Sequence, residues 1–243
     1  MVPLKAEVLT HFLGFPITNT VTSTVLADIL ILSIAFLLRK KISLIPGKLQ
    51  NIIESFIDVL YGFIEDVAGT GKRAETIFPW FVSFFLFIFI SNLLGLLPGY
   101  QTIVLTPATG NEHIPIFRAA TSDLNVTLAL ALISVFATNL MSIQFLGFKG
   151  YLIKFFSLNP VYLFVGLLEI ISELTRIISL SFRLFGNIFS GEFMLSLALY
   201  SFAFLGPLPF LFLELIKAVV QALIFSMLTM VFMSISTMKH EEH

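Results

Sequence analysis

The sequence predicts an all-α membrane protein. It would have about five transmembrane helices and one interfacial amphipathic helix, the last two spans being long, tilted and folded into a hairpin. Three observations carry this. Of 243 residues, 57% are hydrophobic and 12% charged, and the mean hydropathy is +0.98; a soluble domain carries about 25% charged residues. Apolar runs recur that can each cross a bilayer core of about 30 Å. Two segments towards the C-terminus are far longer than one crossing needs. The whole chain, 1–243, reads as one membrane domain.

The elements follow in order. The first apolar run, 21–38, holds one acid, Asp28, and stops at Arg39-Lys40-Lys41. The segment 49–69 differs: Ile52, Ile53, Phe56, Ile57, Val59, Leu60, Phe63 and Ile64 recur at helical spacing, opposite Glu54, Asp58, Glu65 and Asp66. That pattern marks an amphipathic helix lying at the membrane interface or against protein, not a span. The second span, 77–97, opens with Pro79-Trp80, and tryptophan suits the aromatic belt. The third, 124–146, closes at Gly147, with Lys149 and Lys154 beyond.

From 160 to 204 no proline and no obvious turn interrupts the chain. At about 1.5 Å per residue that is roughly 66 Å, about twice a hydrocarbon core. The run 207–238 would measure about 48 Å by the same rise, and Gly206-Pro207-Leu208-Pro209 reads as the tight reversal between them. Lipid mismatch alone does not favour so much tilt, whereas packing on a large partner does.

Basic residues set the topology. With the N-terminus outside, Arg39, Lys40, Lys41, Lys48, Lys72, Arg73, Lys149, Lys154 and Lys239 face the cytoplasm, while Lys5 and Arg118 lie outside. Arg176, Arg183 and Lys217 fall within the hairpin. The C-terminus is then cytoplasmic. No cleavable leader is expected, because no basic region runs directly into an apolar one at the start.

Composition also excludes. A net charge of −1 gives nucleic-acid binding no support, and no cysteine is present for disulfides, thiolate metal sites or cysteine nucleophiles. His11, His113, His240 and His243 all lie outside the long apolar runs, so no metal site and no cofactor is expected.

The long segment 160–204 carries a polar stripe. Glu169, Ser172, Glu173, Arg176, Ser179, Arg183, Gly186, Asn187, Ser190 and Gly191 are separated by threes and fours, which places them along one helix face. Glu192 sits just off it. Such a stripe in a membrane lines an aqueous path or a polar interface. Glu214, Lys217 and Gln221 form a shorter matching set on the last helix. With the reversal at 206–209, Glu192 would face a residue near 222 and Glu214 one near 200. Glu169, Glu173 and Arg176 also fit a wet helix end, paired as i,i+3 and i,i+4 neighbours. Lys217 fits an ion-pair partner for Glu214. Arg183 fits no such reading: it is about two dozen residues from either end of its helix, and no acid stands at i±3 or i±4. Its counter-charge must come from elsewhere.

The stretch "LSFRLFGNIFSGE" (180–192) resembles the signature of the a subunit of F-type ATP synthases, bacterial type. "SNLLGLLPGY" (91–100), "SDLNVTLALAL" (122–132), "QALIFSMLTMVFMSIS" (221–236) and the ending "HEEH" are similar to that family as well. The likeness runs from about Leu49 onward and is most specific around Arg183 and Gln221. It implies a stator subunit lying in the bacterial plasma membrane against a ring of c subunits, each with one mid-membrane carboxylate, and held by b-type peripheral stalk subunits. Two offset half-channels would carry ions, protons first among them, to and from that carboxylate. Arg183 matches the family's essential arginine, which attracts the deprotonated carboxylate and bars direct passage between the half-channels. Asn187 and Glu192 match outer-path positions, Gln221 the glutamine that packs near the arginine, and Glu214 an ionisable position. Asp123 and Asn125 are expected at an outer vestibule. Glu169, Ser172, Glu173, Arg176 and Ser179 suit the cytoplasmic path. Lys217 departs from the family motif.

Three other readings compete. A self-contained channel or transporter predicts internal repeats or broken helices around a midplane site, and no repeat is visible. An intramembrane enzyme would need a nucleophile–base pair or metal ligands at suitable spacing, which are absent. A passive scaffold would not need Arg183. No G-x-x-x-x-G-K-[ST] run is present, so nucleotide chemistry would belong to other subunits.

Overall fold

The computed structural model describes residues 6–12, 14–41, 46–69, 71–97, 99–100, 102–105, 114–155, 160–201 and 206–237. The ends expected at 204 and 238, the final "HEEH", and His113, His240 and His243 fall outside them. Six helices dominate: α1 Asn19–Lys41, α2 Lys48–Ala68, α3 Lys72–Leu96, α4 Leu124–Phe155, α5 Pro160–Ser201 and α6 Pro207–Thr237. The all-α class stands, with two short antiparallel strand pairs that periodicity did not suggest. These are β1 Val8–Phe12 with β2 Phe15–Thr18, and β3 Val104–Leu105 with β4 Ile114–Pro115. Four helices, α1, α3, α4 up to Phe148 and α6, are long and apolar enough to cross a membrane. The chain is an integral membrane protein. The two helices missing from that set are the amphipathic α2 and α5, whose polar stripe lowers its hydropathy although it is the longest.

Local chemistry sets the helix ends. Gly69 closes α2 at φ 76, with its amide bonded to the Glu65 carbonyl, a backbone shape that glycine adopts at little cost. Helix α3 starts five residues before the expected run, at Lys72, and carries Pro79 inside it. Charged Lys72, Arg73 and Glu75 extend the helix beyond its apolar part, so the proline does not open it. Helix α4 breaks at Gly147 (φ 75, ψ 161) and continues as a short second piece. Asp123 stands just before α4: its Oδ1 accepts from the Asn125 amide (2.9 Å) and side chain (3.1 Å), and its Oδ2 from Thr20 Oγ1 (3.0 Å). That is the work of an N-cap residue.

The core lies between α3, α4 and α6, with one face of α5 added. Phe81, Ile77 and Ile88 of α3 are fully buried, as are Phe225, Met230 and Met233 of α6. Phe84 meets Phe225 with ring centroids 5.7 Å apart. Small hydroxyls join helices within this core. Ser134 bonds Thr229 (2.8 Å), Ser142 donates to the Ser236 carbonyl (2.9 Å), and Thr127 bonds Ser181 (3.2 Å). In lipid, where apolar contact alone gives little drive between helices, such bonds and close small-residue packing hold a bundle. The amphipathic α2 buries one stripe, Leu60, Ile64 and Ala68, against α3 and α6, while Ile52, Ile57 and Val59 remain exposed.

The hairpin register differs from the expected one. Pro207 and Pro209 lie in the first turn of α6, where a missing N–H leaves no helix bond unmade. The prolines therefore belong to α6 and do not themselves make the reversal. Asn187 bonds Gln221, two positions equidistant from residue 204. Glu214 meets Gly191 instead of a residue near 200.

Candidate functional site

Two polar clusters flank Arg183 along α5. The first lies towards the α5–α6 reversal. A cavity of about 410 Å³ there is lined by Asn92, Gly95, Gly191, Glu192, Glu214 and Ala218, among others. Gly191 leaves room for its neighbour: a Cβ there would overlap the Glu214 carboxyl and displace it. Gly95 allows a close approach too, because its Cβ would lie 2.6 Å from the Ala119 Cβ and 3.3 Å from its Cα. Glu214 is buried and bonded to Lys217 Nζ at 3.0 Å, one turn along α6. Asn187 Nδ2 donates to Gln221 Oε1 at 2.6 Å.

Glu192 faces the same cavity. Both of its carboxylate oxygens are buried, and neither has a hydrogen bond of normal geometry among the described residues. The Arg118 guanidinium and Ser122 face it from the segment before α4, and Glu214 faces it from α6. Arg118 is only 3% exposed. Its Nε donates to Ser122 Oγ (3.0 Å), which donates on to the Ala119 carbonyl (2.9 Å). Its backbone amide donates to Ser23 Oγ (3.0 Å). Beside it Thr121 donates to Asn92 Oδ1 at 2.5 Å. A short loop and a 3₁₀ turn, Ala120–Ser122, thus press a buried cation towards a buried acid.

Sequence reading missed this wall. By sequence Arg118 reads only as a basic residue on the outer side, and Asn92, Thr121 and Ser122 carry no assigned role. A polar Ser91-Asn92 pair inside an otherwise apolar run was the available signal. Asp123 and Asn125 lie next to this wall, with the Asp123 carboxylate taken up by capping and by Thr20.

The second cluster lies on the other side of Arg183. Glu173 Oε2 accepts from Asn139 Nδ2 of α4 at 3.2 Å. The Arg176 guanidinium stacks over the Phe232 ring at 3.7 Å, and Glu173 and Glu169 act on its charge. Tyr151, beyond the Gly147 break and outside the spans, has its phenol pushed up by burial and by Glu173. Ser172 and Ser179 are exposed.

Between the clusters Arg183 stands exposed, with Ser179 (3.3 Å) as its hydrogen-bond partner and no carboxylate of the described residues in ion-pair range. Gly186 and Ser190 continue the same exposed face, and a Cβ at Gly186 would meet open space. Glu173 and Glu192 are ten and nine residues from Arg183, about 15 Å along the helix to either side. No group of three or more potential metal ligands occurs among the described residues.

Comparison with known proteins gives a uniform result. The family model described as ATP synthase A chain matches residues 20–234. A protein named ATP synthase subunit a from Moorella thermoacetica is 31% identical over 224 residues, covering 92% of this chain and 93% of its own. Its namesake from Aliarcobacter butzleri is 37% identical over 221 residues, covering 88% and 89%. That from Legionella pneumophila is 32% identical over 229 residues, covering 94% and 90%.

Proposed function

The chain belongs to the family of ATP synthase A chains, and on that premise we propose that it is the proton-translocating stator subunit of a rotary ATP synthase. The observation that carries the proposal is Arg183: a cation exposed on a membrane helix, with no acid among the described residues in reach, midway between two polar clusters. Arginine stays protonated at any usable pH, so it acts as a fixed charge and not as a proton carrier. Leaving it unpaired in hydrocarbon costs at least about 2.5–3.5 kcal/mol. A carboxylate on a partner's helix would remove that cost.

The partner is a ring of c subunits bearing such carboxylates, with b-type stalk subunits holding the stator in place. A carboxyl turned towards lipid is neutral, because burial disfavours its charged form; near Arg183 the charged form is favoured and the proton leaves. The contact must also break, so it has to stay wet or mobile, since a dry permanent pair would stall the ring. Glu192 and Glu214, which line the cavity, form the outer half-channel together with the bonded pair Asn187 and Gln221, and Asp123 and Asn125 are assigned to the same outer path. Glu169, Ser172, Glu173, Arg176 and Ser179 form the cytoplasmic one. The basic-residue count supports an external N-terminus and a cytoplasmic C-terminus in a bacterial plasma membrane. A self-contained channel, the second reading, leaves Arg183 without a counter-charge.

Affinity purification of the chain from native membranes, followed by reconstitution in vesicles, tests the reading. A ring of small, highly apolar hairpin proteins should co-purify, and an imposed proton gradient should drive ATP synthesis. Ion conduction by the purified chain alone, with no ring retained, would contradict it.

A further inference from the structure

Two acids line the same cavity, yet their surroundings differ. The Glu214 side chain is 9% exposed and held at 3.0 Å by Lys217, itself 44% exposed. On its other side the carboxyl rests where a Cβ of residue 191 would be, against the bare backbone of α5. Glycine and lysine thus fix it from two directions. Glu192 has no such clamp: its oxygens are buried without a hydrogen bond of normal geometry, and Arg118, Ser122 and Glu214 face it across the site.

We propose that Lys217 is a positioning residue that holds Glu214 as a fixed anion against Gly191, leaving Glu192 as the acid that takes up and releases the proton. This division of labour rests on the reading of the cavity as the outer half-channel. A relay group has to alternate between protonated and ionised forms at little cost. A carboxylate already neutralised by an ammonium one turn away has no need of a proton, and taking one would strand the lysine charge. Among the described residues, Glu192 shares its surroundings with the Arg118 cation and the Glu214 anion. Its charge is therefore the one that can change.

The test is a double-mutant cycle on the assembled complex, reading ATP-driven proton pumping per retained chain. Lys217→Gln leaves the buried Glu214 carboxylate unmatched, Glu214→Gln leaves Lys217 without its partner, and each should lower pumping about tenfold, within the usual range of coupling between contacting charges. Lys217→Arg should restore most of the rate, because it keeps the charge. Glu214→Gln combined with Lys217→Gln should recover several-fold over either single change. Glu192→Gln should abolish pumping. A double variant as poor as Glu214→Gln alone would overturn the division, since Glu214 would then carry the proton itself. Normal pumping by Lys217→Gln would remove its positioning role. Normal pumping by Glu192→Gln would instead sink the outer half-channel reading, whatever the lysine variants do.

Discussion

Complexes carrying Arg183→Ala should synthesise ATP at least about a hundredfold more slowly from an imposed proton gradient. The estimate follows from the charge: losing roughly 3 kcal/mol of stabilisation of the partner carboxylate corresponds to about two powers of ten in rate. Assembly should survive, because Arg183 is exposed and its hydrogen bond within the chain, to Ser179, is long. Arg183→Lys should rescue poorly. Its compact ammonium lacks the planar fork that suits a carboxylate, and lysine loses its proton more readily when desolvated. Synthesis within a few-fold of normal in a fully assembled Arg183→Ala complex would remove Arg183 from the mechanism.

The second large effect is expected at Arg118, and there it falls on stability as well as activity. Its guanidinium is buried, is bonded to Ser122, and supplies the positive charge facing Glu192. Removing one member of a buried charge arrangement strands the other, at a cost of about 3–5 kcal/mol. Arg118→Met should therefore reduce the chain recovered in assembled complexes and lower its thermal midpoint. Adding Glu192→Gln should recover part of the lost stability, because the stranded acid is then neutral. A thermal midpoint for Arg118→Met equivalent to a change below about 0.5 kcal/mol would place Arg118 among ordinary surface residues.

These two arginines show what a sequence discloses and what it does not. Arg183 was legible because it violates a rule: a charge deep in an apolar run, with no acid at helical spacing, has to be explained. The stripe around it was legible because helical period is a local property. Arg118 obeyed every local rule. It stands in a loop, where arginine is ordinary, and only the tertiary path of the 3₁₀ turn after it brings it over Glu192. The strand pairs were invisible because a two-residue ladder leaves no periodicity. The hairpin register failed for a related reason. Two prolines looked like a turn, although proline is equally at home in the first turn of a helix. The shifted register exchanged the partner of Glu214 from a position near 200 to Gly191, and with it joined the two acids in one cavity.

The central claim is that the Arg183 face of α5 lies against a partner helix at mid-membrane. With no native cysteine in the chain, Gly186→Cys places a single thiol on that face, one turn from Arg183 and in open space. Oxidation of membranes in which the ring protein carries a cysteine one turn from its buried carboxyl should give a disulfide-linked product of this chain with one ring subunit. A cysteine at Ile133 on the exposed face of α4 should give none. Cross-linking at Ile133 and not at Gly186 would contradict the account, because the ring would then stand away from Arg183.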